Sequence, residues 1–158
     1  LNSPRTYSGR ILVLNGVNLG RLGRRRLEVY GGLTLDDIRS ELQETFPGTG
    51  IDLRQTDHEG EMVAWIHAAA PDGEEGYDGL IINPGAWTHY AYALHDALEM
   101  VEMPKVEVHL SNVHAREGWR RESVISPSVD AVIAGMGAFG YRAAVSYVLS
   151  RDHAPEPR

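Results

Sequence analysis

Five short apolar runs, each closed by turn-forming residues, alternate with four stretches of helical spacing. The runs are RILVLN (10–15), IDLRQT (51–56), DGLIIN (78–83), KVEVHLS (105–111) and DAVIAG (130–135). Their length and their Asn, Gly and Pro boundaries predict strands. Between them, TLDDIRSELQETF (34–46) places Leu35, Ile38 and Leu42 on one helical face. EGEMVAWIHAAA (59–70) does the same with Met62, Ile66 and Ala69. Residues 88–100 follow with Ala91, Leu94 and Leu98, and residues 140–151 with Ala144 and Val148 beside Tyr141 or Val145. Thr34 fits an N-cap, with Asp37 placed to complete the first turn. Pro47-Gly48 and Pro71 stop the first two helices.

Alternating strand and helix imply α/β architecture: a parallel sheet covered by helices on both faces. Five strands suit a flavodoxin-like three-layer sandwich with strand order 2-1-3-4-5. Such sheets bind ligands beyond the carboxyl ends of their strands, near the point where strand order reverses. The residues to inspect are therefore Asn15 to Asn18, Gln55 to His58, Asn83 to Gly85, His109 to Asn112 and Gly135 to Gly140. The 158 residues read as a single catalytic domain, with a core over about 10–150 and frayed ends.

Composition removes several function classes. No apolar run is long enough to span a bilayer, and LNSPRTYSGR lacks a signal-peptide core, so a cytoplasmic location without membrane contact is expected. Cysteine is absent, which excludes disulfides, thiolate metal sites and a cysteine nucleophile. The formal net charge of −7 argues against nucleic acid as a partner. The cations are fourteen arginines and one lysine, Lys105. Arginine suits fixed recognition of carboxylate or phosphate. Three of them, Arg24 to Arg26, are gathered in GRLGRRRLEVYGG (20–32). That stretch reads as a solvated loop or as a small nucleic-acid or anion patch.

The candidate chemistry gathers at strand ends. GMGAFG (135–140) fits G-x-G-x-x-G, but no second strand with an acid follows it, so it reads as a tight strand-to-helix turn rather than a dinucleotide site. The seven histidines form no H-E-x-x-H pattern, and no metal is expected. His67 and His95 fall inside helices, whereas His89 and His109 fall at the ligand edge. In VEVHLS, alternation sends Val106, Val108 and Leu110 to one face and Glu107, His109 and Ser111 to the other. A central parallel strand is normally apolar on both faces. An acid, an imidazole and a hydroxyl in line there point to a functional face, with Glu107 orienting His109 or raising its basicity. Asn15, Asn18 and Asn83 add amides at two strand ends. Lys105 begins its strand at the opposite edge, which argues against an imine mechanism.

LNGVNLGRLGRRRLEVYG, DHEGEMVAWIH, INPGAWTH, EVHLSNVHAREGWR and GMGAFGY resemble, in order and spacing, the motifs of the type II 3-dehydroquinase family. That resemblance implies a cofactor-free dehydratase of the shikimate pathway, acting on 3-dehydroquinate by anti elimination of water through an enolate. It implies Tyr30 as the base and Arg25 as the lid cation that lowers its pKa. It implies Asn18 holding a water on the enolate, His109 as general acid and Glu107 as its support. Asn83, His89, Ser111, the Leu110 backbone amide and Arg120 would bind substrate. Asp96 would reach in from a neighbouring subunit of a dodecamer built from trimers.

The chain also departs from the family pattern. Val17 replaces a usual proline, which predicts a looser turn from Asn15 to Asn18. Arg26-Leu27, Trp87, Tyr90-Ala91, Gly118-Trp119 and Glu122 are further departures. Two other readings remain open at this level. One is the same dehydration of an amino analogue of dehydroquinate. The other is a non-catalytic, flavodoxin-like nucleotide-binding module.

Overall fold

The computed structural model describes residues 9–24, 32–70 and 72–151. Strands β1 (Gly9–Asn15), β2 (Thr49–Gln55), β3 (Gly79–Asn83), β4 (Lys105–His109) and β5 (Ala131–Ala134) form one parallel sheet. Its order is β2-β1-β3-β4-β5, as expected. Helices α1 (Leu35–Thr45), α2 (Glu59–Ala69), α3 (Tyr92–Glu99) and α4 (Phe139–Arg151) cover it.

The alternation within β1 divides the core. Ile11 and Val13 join Ile81, Val106 and Val108 under Ile38 and Leu42 of α1 and Ala144, Val145 and Val148 of α4. Leu12 and Leu14 join Leu80 and Ile82 under Met62 and Ile66 of α2 and Leu94 and Leu98 of α3. Every one of these side chains is buried. Each fully buried aliphatic side chain contributes roughly 1.5–3 kcal/mol relative to exposure, so the two apolar layers drive the architecture. At the start of α1, Thr34 and Asp37 form the reciprocal capping box: the Asp37 amide donates to Thr34 Oγ1 (3.2 Å), and the Thr34 amide to Asp37 Oδ2 (2.8 Å).

At the ligand edge, two boundaries differ from the sequence reading by more than one residue. Residues 85–89 form a separate 3₁₀ turn, and α3 begins only at Tyr92. Gly85 enters that turn at φ +62°, and Tyr90 and Ala91 leave helical geometry before α3 starts. Strand β4 ends at His109 rather than Ser111. The Gly135 amide, at φ +88°, donates to the His109 carbonyl (3.1 Å), and the Gly137 amide donates to the Leu110 carbonyl (3.0 Å). The GMGAFG turn thus ties off β4.

Candidate active site

Strands β1 and β3 end in register at Asn15 and Asn83. Both side chains lie on the α1/α4 face, where Tyr141, in the first turn of α4, reaches between them. Its hydroxyl donates to Asn15 Oδ1 (2.6 Å) and accepts from Asn83 Nδ2 (2.9 Å). Burial pushes the Tyr141 phenol well above its ordinary range, so it stays protonated and able to donate. Asn83 Oδ1 accepts from the Gly85 amide (3.2 Å). A side-chain amide has two N–H groups, so one Asn83 N–H remains for a ligand.

The turn after β1 is pinned rather than loose, despite Val17. The Gly16 amide donates to the Asn83 carbonyl (2.8 Å), and the Leu19 amide to the Gly16 carbonyl (3.2 Å). The Asn18 amide donates to Asp57 Oδ1 (2.7 Å). A Cβ on Gly16 would lie 2.4 Å from the Pro84 carbonyl oxygen, so only glycine lets these two loops cross. Asn18 takes the left-handed conformation at φ 68°, a strained state that asparagine tolerates better than most residues.

On β4, Glu107 and His109 face the α2/α3 layer. Glu107 is fully buried, and its Oε1 lies 2.6 Å from His109 Nε2. Thr88 Oγ1 donates to the same oxygen (2.5 Å), and Ser126 Oγ donates to Oε2 (2.5 Å). Burial works to raise the Glu107 pKa. The His109 hydrogen bond and charge, with the two hydroxyls, outweigh it and hold the carboxyl below its ordinary range. An ionised carboxylate only accepts, so His109 Nε2 carries a proton. Nδ1 is then the ring nitrogen left for proton exchange with a ligand.

Asn18, Asn83, His89, His109, Leu110, Ser111 and Arg120 line one cavity at this edge, together with Val17, Leu19, Leu22 and Arg116. His89 Nδ1 lies 2.7 Å from the Glu122 carbonyl, which can only accept, so Nε2 of the neutral ring is an acceptor. The His89 ring meets Trp119 edge-on at 4.9 Å between centroids. The Arg120 guanidinium stacks over Trp119 at 4.1 Å, and its Nε donates to Glu117 Oε2 (2.8 Å). Imidazole, amide, hydroxyl and guanidinium groups in one cleft suit a small, oxygen-rich anion.

Seven of the sequence candidates thus line one cavity, and Glu107 stands directly behind it. Arg25 and Tyr30, with Arg26 and Leu27, lie outside the described residues. Asp96 is exposed on α3 and is not among the cavity-lining residues. Its neighbours His95 and Glu99 are already paired at 3.3 Å, and His95 Nδ1 is 2.7 Å from the Val124 carbonyl. Lys105 sits at the far end of β4, where its Nζ donates to the Leu98 and Val101 carbonyls. Arg116, Thr88, Ser126 and Tyr141 were not singled out as site residues by sequence. A buried acid in a central strand signals that donors must exist, but not which residues supply them.

A doubly wound parallel sheet, with a carboxylate–imidazole pair and side-chain amides gathered at its carboxyl edge, is the architecture of an α/β enzyme. The model of one family, Dehydroquinase class II, matches residues 9–149. The 3-dehydroquinate dehydratase of Desulfitobacterium hafniense is 50% identical over 143 residues, which cover 89% of this chain and 95% of that protein. That of Kineococcus radiotolerans is 51% identical over 144 residues, covering 90% and 96%. The crystal structure of type II dehydroquinase from Propionibacterium acnes superimposes with a TM-score of 0.84 at 46% identity, covering 90% of this chain and 97% of that one. The chain belongs to the class II dehydroquinase family.

Proposed function

We infer that this chain is a type II 3-dehydroquinate dehydratase, a hydro-lyase converting 3-dehydroquinate and 3-dehydroshikimate reversibly by anti elimination of water. The observation that carries the reading is the Glu107–His109 pair at 2.6 Å, opening on a cavity lined by Asn18, Asn83, Ser111 and Arg120. Family membership supplies the reaction class, and the side chains supply the roles. Tyr30, as phenolate, removes a proton from the carbon next to the ketone. A free tyrosine has a pKa of about 10, so the Arg25 cation has the task of lowering that value. Asn18 holds a water against the enolate oxygen. His109 then gives its Nδ1 proton to the departing hydroxyl, the C–O bond breaks, and the enolate electrons form the ring double bond.

Substrate is held by the remaining Asn83 N–H, His89 and Arg120, and at its carboxylate by Ser111 and the Leu110 amide. No group of this scheme needs a cofactor. A second copy supplies Asp96, exposed on α3, within a dodecamer of trimers. The setting is cytoplasmic, in keeping with a cysteine-free chain whose described helices are too short or too polar to cross a membrane.

Absorbance of the conjugated enone tests the reading directly. It should rise when 3-dehydroquinate is added to purified protein without metal or cofactor. Tyr30→Phe should abolish the rise, and undiminished turnover in that variant would remove Tyr30 as the base. Borohydride added with substrate should leave activity intact, because no imine forms. A yellow chromophore copurifying with an inactive protein would instead favour a nucleotide-binding module.

A further inference from the structure

The buried hydroxyls behind Glu107 form a network in which each proton direction is fixed. As a carboxylate Glu107 can only accept, so Thr88 and Ser126 must both spend their hydroxyl protons on it. Thr88 Oγ1 also lies 2.7 Å from Ser123 Oγ. With the Thr88 proton committed, Ser123 is the donor in that contact. Ser123 Oγ in turn accepts from the amides of Ile125 (3.1 Å) and Ser126 (2.9 Å). The network therefore runs one way, from the backbone of residues 125–126 through Ser123 and Thr88 to the carboxylate. None of Thr88, Ser123 and Ser126 is among the residues lining the cavity.

We propose that Thr88 and Ser126 are positioning residues that decide which partner of the Glu107–His109 pair holds the shared proton. The pair can exist as carboxylate and imidazolium, or as carboxylic acid and neutral imidazole. Both forms carry the same net charge. Only the first offers a readily released proton at Nδ1. Burial favours the neutral form, because it penalises separated charge. Two charge-assisted hydroxyl bonds favour the ionic form, because they serve a carboxylate better than an acid. Removing either hydroxyl moves the proton toward Glu107 and starves the acid step. It also strengthens the pair's total hold on that proton, because the carboxylate loses a competing donor.

The inference rests on His109 being the general acid. Other charged or titratable groups on the same cavity, among the described residues, are His89, Arg116 and Arg120. Their contacts to the Glu122 carbonyl, Ser111 and Glu117 involve neither hydroxyl. Tyr30 and Arg25 govern the base, which acts on the acid limb of the pH profile.

Thr88→Val, Ser126→Ala and the conservative Thr88→Ser test the idea in the full chain with 3-dehydroquinate. Each deletion should lower kcat about 10-fold or more, since a hydrogen bond to a charged group is being removed. KM should stay within about twofold, because no ligand contact is lost. The alkaline limb of kcat should move to higher pH, and ¹⁵N resonances of the His109 ring should shift from imidazolium toward neutral imidazole. Thr88→Ser should restore all three readouts. If Thr88→Val does not fold, Ser126→Ala carries the same test. Loss of kcat with unchanged His109 resonances and an unmoved limb would overturn the proposal, as would unchanged kcat. His109→Asn separates this from the reading beneath it. Full turnover in that variant removes the acid assignment itself, whereas the ¹⁵N spectra report the proton's location whatever the activity.

Discussion

His109 has one ring nitrogen committed to Glu107 and the other left for the cavity, the arrangement that the proposed acid role uses. His109→Asn keeps the approximate size and removes the acid. Its kcat on 3-dehydroquinate should fall by about 10²–10⁴-fold, the usual worth of a positioned general acid, with substrate binding retained in a calorimetric titration. Glu107 adds a stability signature. Its native pKa lies below the ordinary carboxylate value, so its contribution is complete above about pH 4.3, the unfolded value, and is lost as pH falls through the lower native value. Urea midpoints measured from pH 7 to pH 3 should therefore drop more steeply for the native chain than for Glu107→Gln. Parallel curves would mean that the carboxylate charge is not a net stabiliser. The polarity of Glu107 and His109 was legible because acids and imidazoles rarely occupy a central parallel strand. The hydroxyls that serve them were not, because serine and threonine are common everywhere and their partners are set by tertiary approach.

Helix α4 reaches the site through one atom, the Tyr141 hydroxyl, which joins the ends of β1 and β3. Tyr141→Phe leaves Asn15 Oδ1 and Asn83 Nδ2 without this partner in a buried setting. The expected cost is about 1–3 kcal/mol of stability, read as a lower urea midpoint. The freed Asn83 amide should also loosen substrate binding, raising KM. A variant with native stability and native KM would show that the two strand ends hold themselves in place. Gly16→Ala is the harsher test, because its methyl group meets the Pro84 carbonyl and forces the two loops apart. At this scale the sequence carried much of the answer: the apolar spacing of 34–46 and 59–70 named the inward faces of α1 and α2 residue by residue. It failed at residues 88–91, where helical spacing is present but the Pro84-Gly85 entry and the non-helical Tyr90 and Ala91 impose a separate turn. That turn delivers Thr88 and His89 to opposite neighbours, Glu107 and Trp119.

Assembly belongs to the whole molecule. Asp96 is exposed on α3, and Tyr92, four residues earlier, is also exposed. If Asp96 completes a neighbour's cavity, Asp96→Ala and His109→Asn should each be poorly active alone. Subunits of the two variants, dissociated and reassembled together, should regain activity, because some sites then combine an intact His109 with an intact Asp96. Light scattering should report twelve chains of 17.4 kDa in the active species. No recovery on mixing, with full assembly, would place Asp96 outside the site. The strand order and the ligand edge were readable from the alternation of elements alone. The stretch 20–32 was readable only as composition, a run of arginines ahead of a tyrosine.

Lys105 and His109 occupy opposite ends of the same strand, some 13 Å apart at about 3.3 Å per residue. Lys105 is also the only lysine of the chain, and its ammonium is already spent on two carbonyls at the end of α3. Amine-directed chemistry therefore has one side-chain address on this protein, and it faces away from the reaction. A surface or label coupled there would hold the molecule by its back and leave the catalytic edge open to solution.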